Sequence, residues 1–417
     1  MKALMFNYNL ARIALIKSGI AGRYFCVKYS DRWPLPEIRH PGQVLVKTIM
    51  GGICASDIHQ MEIDMSMYAS VMSSPLNPSP LGHEAVGVVS ETGKGVRVLK
   101  PGDKVVYNPV PHCASIGLPP CPSCKKGNYQ HCDALVGIGD GESLGTSFGG
   151  SARIGGFGGG GFSEYIVGFE KQFHRVPPGM PDSVAVLTEP FTIALHTAAR
   201  HLPGQDDTAV VVGAGIIGLL TIAALRLLGS KCRIISLARY PAQADMALRM
   251  GATEIIRDRE QEKITARIAS LTDGTLVKPL LSKKVLYGNR GPDIIFDTVA
   301  TEASIDGDLR IARSNGKIVL TGMGFNVTKK VDWSLQVWKE IDVVGSLFSG
   351  RERSRGKDID AFPLALQLMS KEPDLFDGLV THTFPIERYR EAIACFLSKK
   401  KRHAIKVAFD FRKLNIK

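Results

Sequence analysis

The chain has 417 residues, 52 Lys and Arg against 40 Asp and Glu for a net charge of +12, and eight cysteines. That length exceeds one typical domain and supports a large core, so two domains are expected. Eight cysteines in so long a chain exclude a disulfide scaffold, and no run reaches the roughly 18 apolar residues of a membrane span.

The opening stretch, MKALMFNYNLARIALIKSG, has short apolar runs broken by Asn7, Asn9, Arg12 and Lys17. It lacks the long apolar segment and cleavage pattern of a signal peptide, so a cytoplasmic protein is expected. Up to about residue 110 the pattern is short β-rich runs with turn residues, as in PGQVLVKTIM, AVGVVSETGKGV and PGDKVVYN, and helical periodicity is scarce. Four of the cysteines fall between Cys113 and Cys132, a clustering that in a reduced compartment favours metal. Residues 137–162 are glycine-rich and read as a loop, either mobile or moulded around something such as a substrate pocket.

TEPFTIALHTAARHL carries helical periodicity, and the texture then alternates. TAVVVG, CRIISLA, PDIIFDTV and GKIVLTG read as strands and GIIGLLTIAALRLLG and PAQADMALRMG as helices, the βαβ rhythm of a parallel sheet. Residues 273–291 have no clear place in that alternation and read as an insertion. KKKRH at 399–403 follows the periodic YREAIACFL and reads as a helix C-terminal turn, where cations suit the dipole, rather than a phosphate-binding patch. β pattern returns in HAIKVAFDF.

VVVGAGIIG sets Gly213, Gly215 and Gly218 as G-x-G-x-x-G between a strand and a helix. Such glycines permit a tight turn, close approach of a pyrophosphate and close helix–sheet packing, so a dinucleotide is expected here. An acidic residue about 20 positions on would take the ribose hydroxyls of NAD. Here that position is Ala238 followed by Arg239, which accepts a 2′-phosphate, so NADP is preferred over NAD, with Asp245 downstream as the competing possibility.

In the first half, GGICASDIHQ groups Cys54, Ser56, Asp57 and His59, and PLGHEAVGVV adds His83 and Glu84. Thiolate, imidazole and carboxylate are the ligand set of catalytic zinc, which uses three protein ligands and an open position.

These residues resemble the zinc-dependent medium-chain dehydrogenase superfamily of alcohol, polyol and threonine dehydrogenases. GIC-x-S-D-x-H, GHE-x-x-G-x-V, PGDKV, a C-x-x-C-x-x-G-x-x-x-x-C lobe, EP before a helix and G-x-G-x-x-G occur in the family's order over nearly the whole chain. The resemblance implies a Rossmann doubly wound parallel sheet plus a mainly β GroES-like catalytic domain with a structural zinc lobe. Residues 1–190 would form the catalytic domain, 191–344 the dinucleotide domain and 345–417 a return to the first. It implies hydride transfer between an alcohol (secondary alcohol, polyol or amino alcohol) and NAD(P). Cys54 and His83 would hold the catalytic zinc, with Glu84 a ligand or adjacent carboxylate and Glu189 a further ligand, directly or through water. Zinc lowers the pKa of the substrate hydroxyl. Ser56 would pass the proton through the cofactor ribose to His59, and Asp57 would orient His83.

In the family the structural zinc takes C-x2-C-x2-C-x7-C, whose last three cysteines map onto Cys121, Cys124 and Cys132. The first would fall on Leu118, so Cys113 is expected to complete the site. A lobe without metal and His112 or His131 as substitutes are the alternatives. The resemblance also implies a small-molecule alcohol or carbonyl partner, a homodimer or homotetramer, and neither nucleic-acid nor membrane binding. A zinc-independent double-bond reductase on the same fold and a zinc-ribbon nucleic-acid binder are the competing readings.

Overall fold

The consecutive apolar residues Val44, Leu45 and Val46 in QVLVKTIMGG build the strand Gln43–Gly52 with both faces covered, and Met50 is buried as well. One edge pairs antiparallel with Glu84–Thr92, and the other is shared by Tyr165–Phe169 and Lys406–Asp410. The sheet runs in the order Val380–Phe384, Lys406–Asp410, Gln43–Gly52, Glu84–Thr92, Lys104–Tyr107, Phe173–Arg175. It centres a unit formed by Met1–Glu189, Ser349–Arg351 and Ile359–Lys417. The computed structural model describes residues 1–417 apart from 65–77, 111, 134–159, 323, 325–327, 355 and 414–417. The glycine-rich segment expected to mould a pocket lies outside the described residues except for Gly160, Gly161 and Phe162.

Two short helices appear in the stretch where helical periodicity is scarce. Leu10–Lys17 starts at Asn9, whose side chain accepts the Arg12 N–H at 2.8 Å, and buries none of its residues, so it leaves no periodic apolar stripe to read. Ala55–Glu62 spans about two turns, too few for a period to show, and stops at Ile63 in the left-handed region.

The second unit comprises Pro190–Phe348 and Glu352–Asp358. Its six parallel strands run Glu254–Ile256, Arg233–Leu237, Thr208–Val212, Ile294–Asp297, Lys317–Leu320, Asp342–Gly345. Numbered along the chain this is 3-2-1-4-5-6, the doubly wound order whose switch point lies between the first and fourth strands. Val210, Ile235, Ile295 and Ile318, one from each of four neighbouring strands, pack in one apolar cluster with helix residues such as Ile268 and Leu309.

Residues 273–291 resolve into an antiparallel hairpin, Thr275–Val277 with Val285–Tyr287. KKKRH does not extend the preceding helix. Tyr389–Leu397 ends at Ser398, and Lys399–Arg402 forms a separate short turn of helix closed by His403 at φ +54°.

Candidate metal centres and cofactor turn

Sheet register brings the first cluster together. Gly52 lies opposite Glu84 and, on its other edge, opposite Ala408, so Cys54, His83, Glu84 and Lys406 converge at one end of the central strand. Cys54 begins the helix Ala55–Glu62, and the buried Asp57 accepts its N–H through Oδ2 at 2.8 Å. The other Asp57 oxygen, Oδ1, lies 3.3 Å from His83 Nδ1. Ligand atoms of Cys54, His83 and Glu84 all lie within 4.8 Å of one another.

Glu84 and Lys406 are fully buried and ion-paired, and together they need a gap beside the central strand. Gly52 supplies it: a Cβ there would sit 2.0 Å from Glu84 Oε2 and 2.9 Å from Lys406 Cε. Gly161, at the end of the glycine-rich segment, closes the other side by donating its N–H to Gly82 O at 2.9 Å, next to His83.

Glu189, near the start of the helix Thr188–Arg200, is buried but stands outside the group of three. Burial pushes its carboxyl up to about 7, against the favourable charge of His83 and with the added repulsion of Glu84. Ser56 and His59 are half-buried, one helical turn apart, so they share a face. His59 Nδ1 is hydrogen-bonded to Asp64 Oδ1 at 2.8 Å.

The second cluster has four sulfurs. Cys113 opens a short turn that ends at Gly117 with φ +76°, Cys121 precedes the turn Pro122–Lys125 that contains Cys124, and Cys132 follows Tyr129–His131. All four sulfurs lie within 4.8 Å of one another, with Cys113 and Cys132 Sγ 3.5 Å apart. Zinc–sulfur bonds of about 2.3 Å in a tetrahedron put sulfurs about 3.8 Å apart, whereas a disulfide demands about 2.05 Å, so the arrangement fits a tetrathiolate metal site. Burial opposes ionisation of Cys121, yet N–H groups of Asp133 and Cys124 directed at its sulfur bring the thiol down to about 7. His112 is not in this group. It stacks on Tyr129 with centroids 4.0 Å apart, and burial drives it down to about 4. His131 is exposed and also outside the group.

In the second unit the strand Thr208–Val212 runs into Gly213, at φ +91°. A Cβ on Gly218 would lie 1.9 Å from Gly213 O, so the helix Ile216–Leu227 approaches the turn as closely as glycine allows. Gly215 differs, since a Cβ there meets nothing within 4 Å, leaving space over the helix N-terminus for a pyrophosphate. At the tip of the next strand Ala238 is buried and donates its N–H to Ile256 O at 3.0 Å, while Arg239 is exposed. The pairing Leu237↔Ile256 sets Arg257 at the matching tip of the third strand, and Arg259 lies over the Tyr240 ring at 6.0 Å. Sequence reasoning missed these two arginines, although Arg257 directly follows the EII strand and Arg259 comes after the intervening Asp258. Asp245 lies exposed on the helix Pro241–Arg249.

Residues 40–178 match the alcohol dehydrogenase GroES-like domain, and residues 217–371 match the zinc-binding dehydrogenase domain. A probable D-xylulose reductase A of Arthroderma otae is 31% identical over 299 residues, covering 72% of this chain and 73% of that protein. The chain belongs to the zinc-dependent medium-chain dehydrogenase superfamily. Sorbitol dehydrogenase of Bacillus subtilis is 26% identical, covering 86% of this chain and 88% of its own. Among solved structures, galactitol-1-phosphate dehydrogenase from Escherichia coli superposes with a TM-score of 0.69 at 22% identity, covering 98% of this chain and 100% of that one. As a medium-chain dehydrogenase the protein is an oxidoreductase moving a hydride between an alcohol and a nicotinamide dinucleotide. Among the described residues no helix is long and apolar enough to cross a membrane.

Proposed function

We propose that this dehydrogenase interconverts a secondary hydroxyl of a polyol and the corresponding ketone, with NADP as the preferred dinucleotide. The observation that carries the reading is the convergence of the half-buried Cys54 with the buried His83 and Glu84, beside a sheet-positioned lysine. Xylulose reductase and sorbitol dehydrogenase among the relatives support the polyol class.

Cys54 and His83 hold the catalytic zinc. Glu84 is an adjacent carboxylate, because Lys406 already engages it, and Glu189 completes the set directly or through water. When bound, zinc polarises the substrate hydroxyl and lowers its pKa. Asp57, whose Oδ1 lies 3.3 Å from His83 Nδ1, would hold the imidazole in place as a metal ligand. Ser56 accepts the hydroxyl proton as its own is passed on toward His59, which lies one helical turn away with Nδ1 held by Asp64. Cys113, Cys121, Cys124 and Cys132 hold the structural zinc. Gly213, Gly215 and Gly218 shape the pyrophosphate turn. Arg239, with Arg257 and Arg259 nearby, favours a 2′-phosphate, and Ala238 offers no carboxylate to repel it.

The test uses the purified protein. Two zinc ions per chain, polyol-dependent reduction of NADP and tighter titration by NADP than NAD are expected. Cys54→Ala abolishes turnover while dinucleotide binding persists, and Arg239→Ala weakens NADP far more than NAD. Less than one zinc per chain without nicotinamide binding would sink the reading, and equal effects of Arg239→Ala on both dinucleotides would sink the cofactor choice.

A further inference from the structure

Residues 278–284, KPLLSKK, join the strands Thr275–Val277 and Val285–Tyr287 and form the tip of that hairpin. Its root is firm, because Leu286 is fully buried in the core of its unit and Val285 is nearly so. The tip is the opposite: Leu280 is 92% exposed, Leu281 is 100% exposed, and Val277 below them is 41% exposed. Scattered exposed leucines are ordinary, but these two are adjacent and project from an anchored hairpin. Leu281 also holds φ +57°, a conformation bulky side chains avoid, so the turn presents an apolar residue at a backbone cost.

Lys278, Lys283 and Lys284 are exposed around the pair, Arg290 follows, and no acidic residue occurs between 274 and 292. Acidic groups from the packed helices act at the root. Glu262 accepts the Lys284 backbone N–H at 3.2 Å, and Asp306 lies 4.0 Å from Lys283 Nζ. Neither belongs to the 278–284 tip, whose side-chain charges are all positive.

We propose that this tip docks on an anionic phospholipid bilayer surface, Leu280 and Leu281 entering the headgroup–acyl boundary while the lysines pair with lipid phosphates. Protein interfaces are depleted of lysine and favour aromatic anchors, whereas surface membrane binding combines a shallow apolar insertion with Lys and Arg, the composition of this tip. Neither signal alone gives stable binding, and the hairpin carries both. Docking of this kind spans nothing, and it revises the expectation of no membrane contact.

The full-length enzyme is sedimented with vesicles of phosphatidylcholine alone and of phosphatidylcholine mixed with phosphatidylserine. Wild type is expected on the mixed vesicles, released by high salt and largely absent from the neutral ones. Leu280→Ser with Leu281→Ser weakens partitioning by about tenfold or more. Lys278→Glu with Lys284→Glu weakens it by at least about 20-fold, and it reads the proposal independently if the leucine variant misfolds. Turnover of a dissolved alcohol is unchanged in both. Absent wild-type binding, equal binding by wild type and the lysine variant, or equal affinity for neutral vesicles overturns the proposal. So does a change of oligomeric mass in the leucine variant without lipid, which would place the tip between two copies of the chain.

Discussion

Asp57 connects the two candidate zinc ligands that lie on different elements: one carboxylate oxygen accepts the Cys54 N–H at 2.8 Å and the other sits 3.3 Å from His83 Nδ1. A carboxylate so placed orients the imidazole and raises its basicity. Asp57→Asn keeps the shape and removes the charge. Affinity of the catalytic site for zinc is expected to fall by about 10–100-fold, with the tetrathiolate zinc retained. Chelator competition with metal counting separates the two sites, and unchanged affinity at both would refute the role.

Gly215 and Gly218 are three residues apart and predict opposite phenotypes. A Cβ on Gly218 would lie 1.9 Å from the Gly213 carbonyl oxygen, so Gly218→Ala must move backbone and is expected to cost about 1–3 kcal/mol. A Cβ on Gly215 meets nothing, so Gly215→Val should fold normally yet fill the space above the helix N-terminus. Chemical unfolding should separate Gly218→Ala from wild type, and dinucleotide titration should show Gly215→Val weakened by about tenfold or more. A Gly215→Val protein that binds NADP normally would move the pyrophosphate elsewhere.

Those glycines were legible because the turn, its strand and its helix are contiguous. The Glu84–Lys406 pair was not: its members lie 322 residues apart, and only the registers of Lys406–Asp410 and Glu84–Thr92 on either edge of Gln43–Gly52 bring them together. HAIKVAFDF shows alternation but not its neighbour, and a lysine inside a strand reads as surface until a buried carboxylate is found opposite. The hairpin within 273–291 was obscured for another reason. Its strands are three residues each, below the length at which alternation is distinct, and its apolar residues point outward as well as inward.

Cys113 departs from the spacing of the other three sulfurs, so its replacement tests the tetrathiolate reading. Cys113→Ser leaves three thiolates and a weak hydroxyl, and it should lose about one zinc equivalent per chain. Tyr129 lies between Cys124 and Cys132 and donates its hydroxyl to Asp360 Oδ1 at 2.9 Å, while Arg351 donates to the same hydroxyl at 2.9 Å. Loss of the metal should therefore loosen that contact as well, seen as a lower melting temperature and faster proteolysis around residues 113–132. Full zinc content in the variant would assign the fourth ligand elsewhere.

Lys339 gives a pH dependence with a definite sign. Its side chain is buried, and Nζ donates to Leu309 O at 2.7 Å and Arg310 O at 3.4 Å, at the end of the helix Glu302–Ile311. Burial, with the Arg310 charge added, drives it down from 10.5 to about 7. Asp306 pairs with Arg310 and tempers that repulsion. Between those two pH values the unfolded chain keeps a proton that the folded chain releases, so raising the pH favours folding; below about 7 both keep it and the dependence flattens. Lys339→Met removes the titration. The stability of wild type relative to this variant should rise between pH 7 and 9 by at most about 1.4 kcal/mol per unit, and stay level from pH 5 to 6. Urea unfolding of both proteins across that range measures the difference directly, and parallel profiles would show that the buried amine keeps its proton.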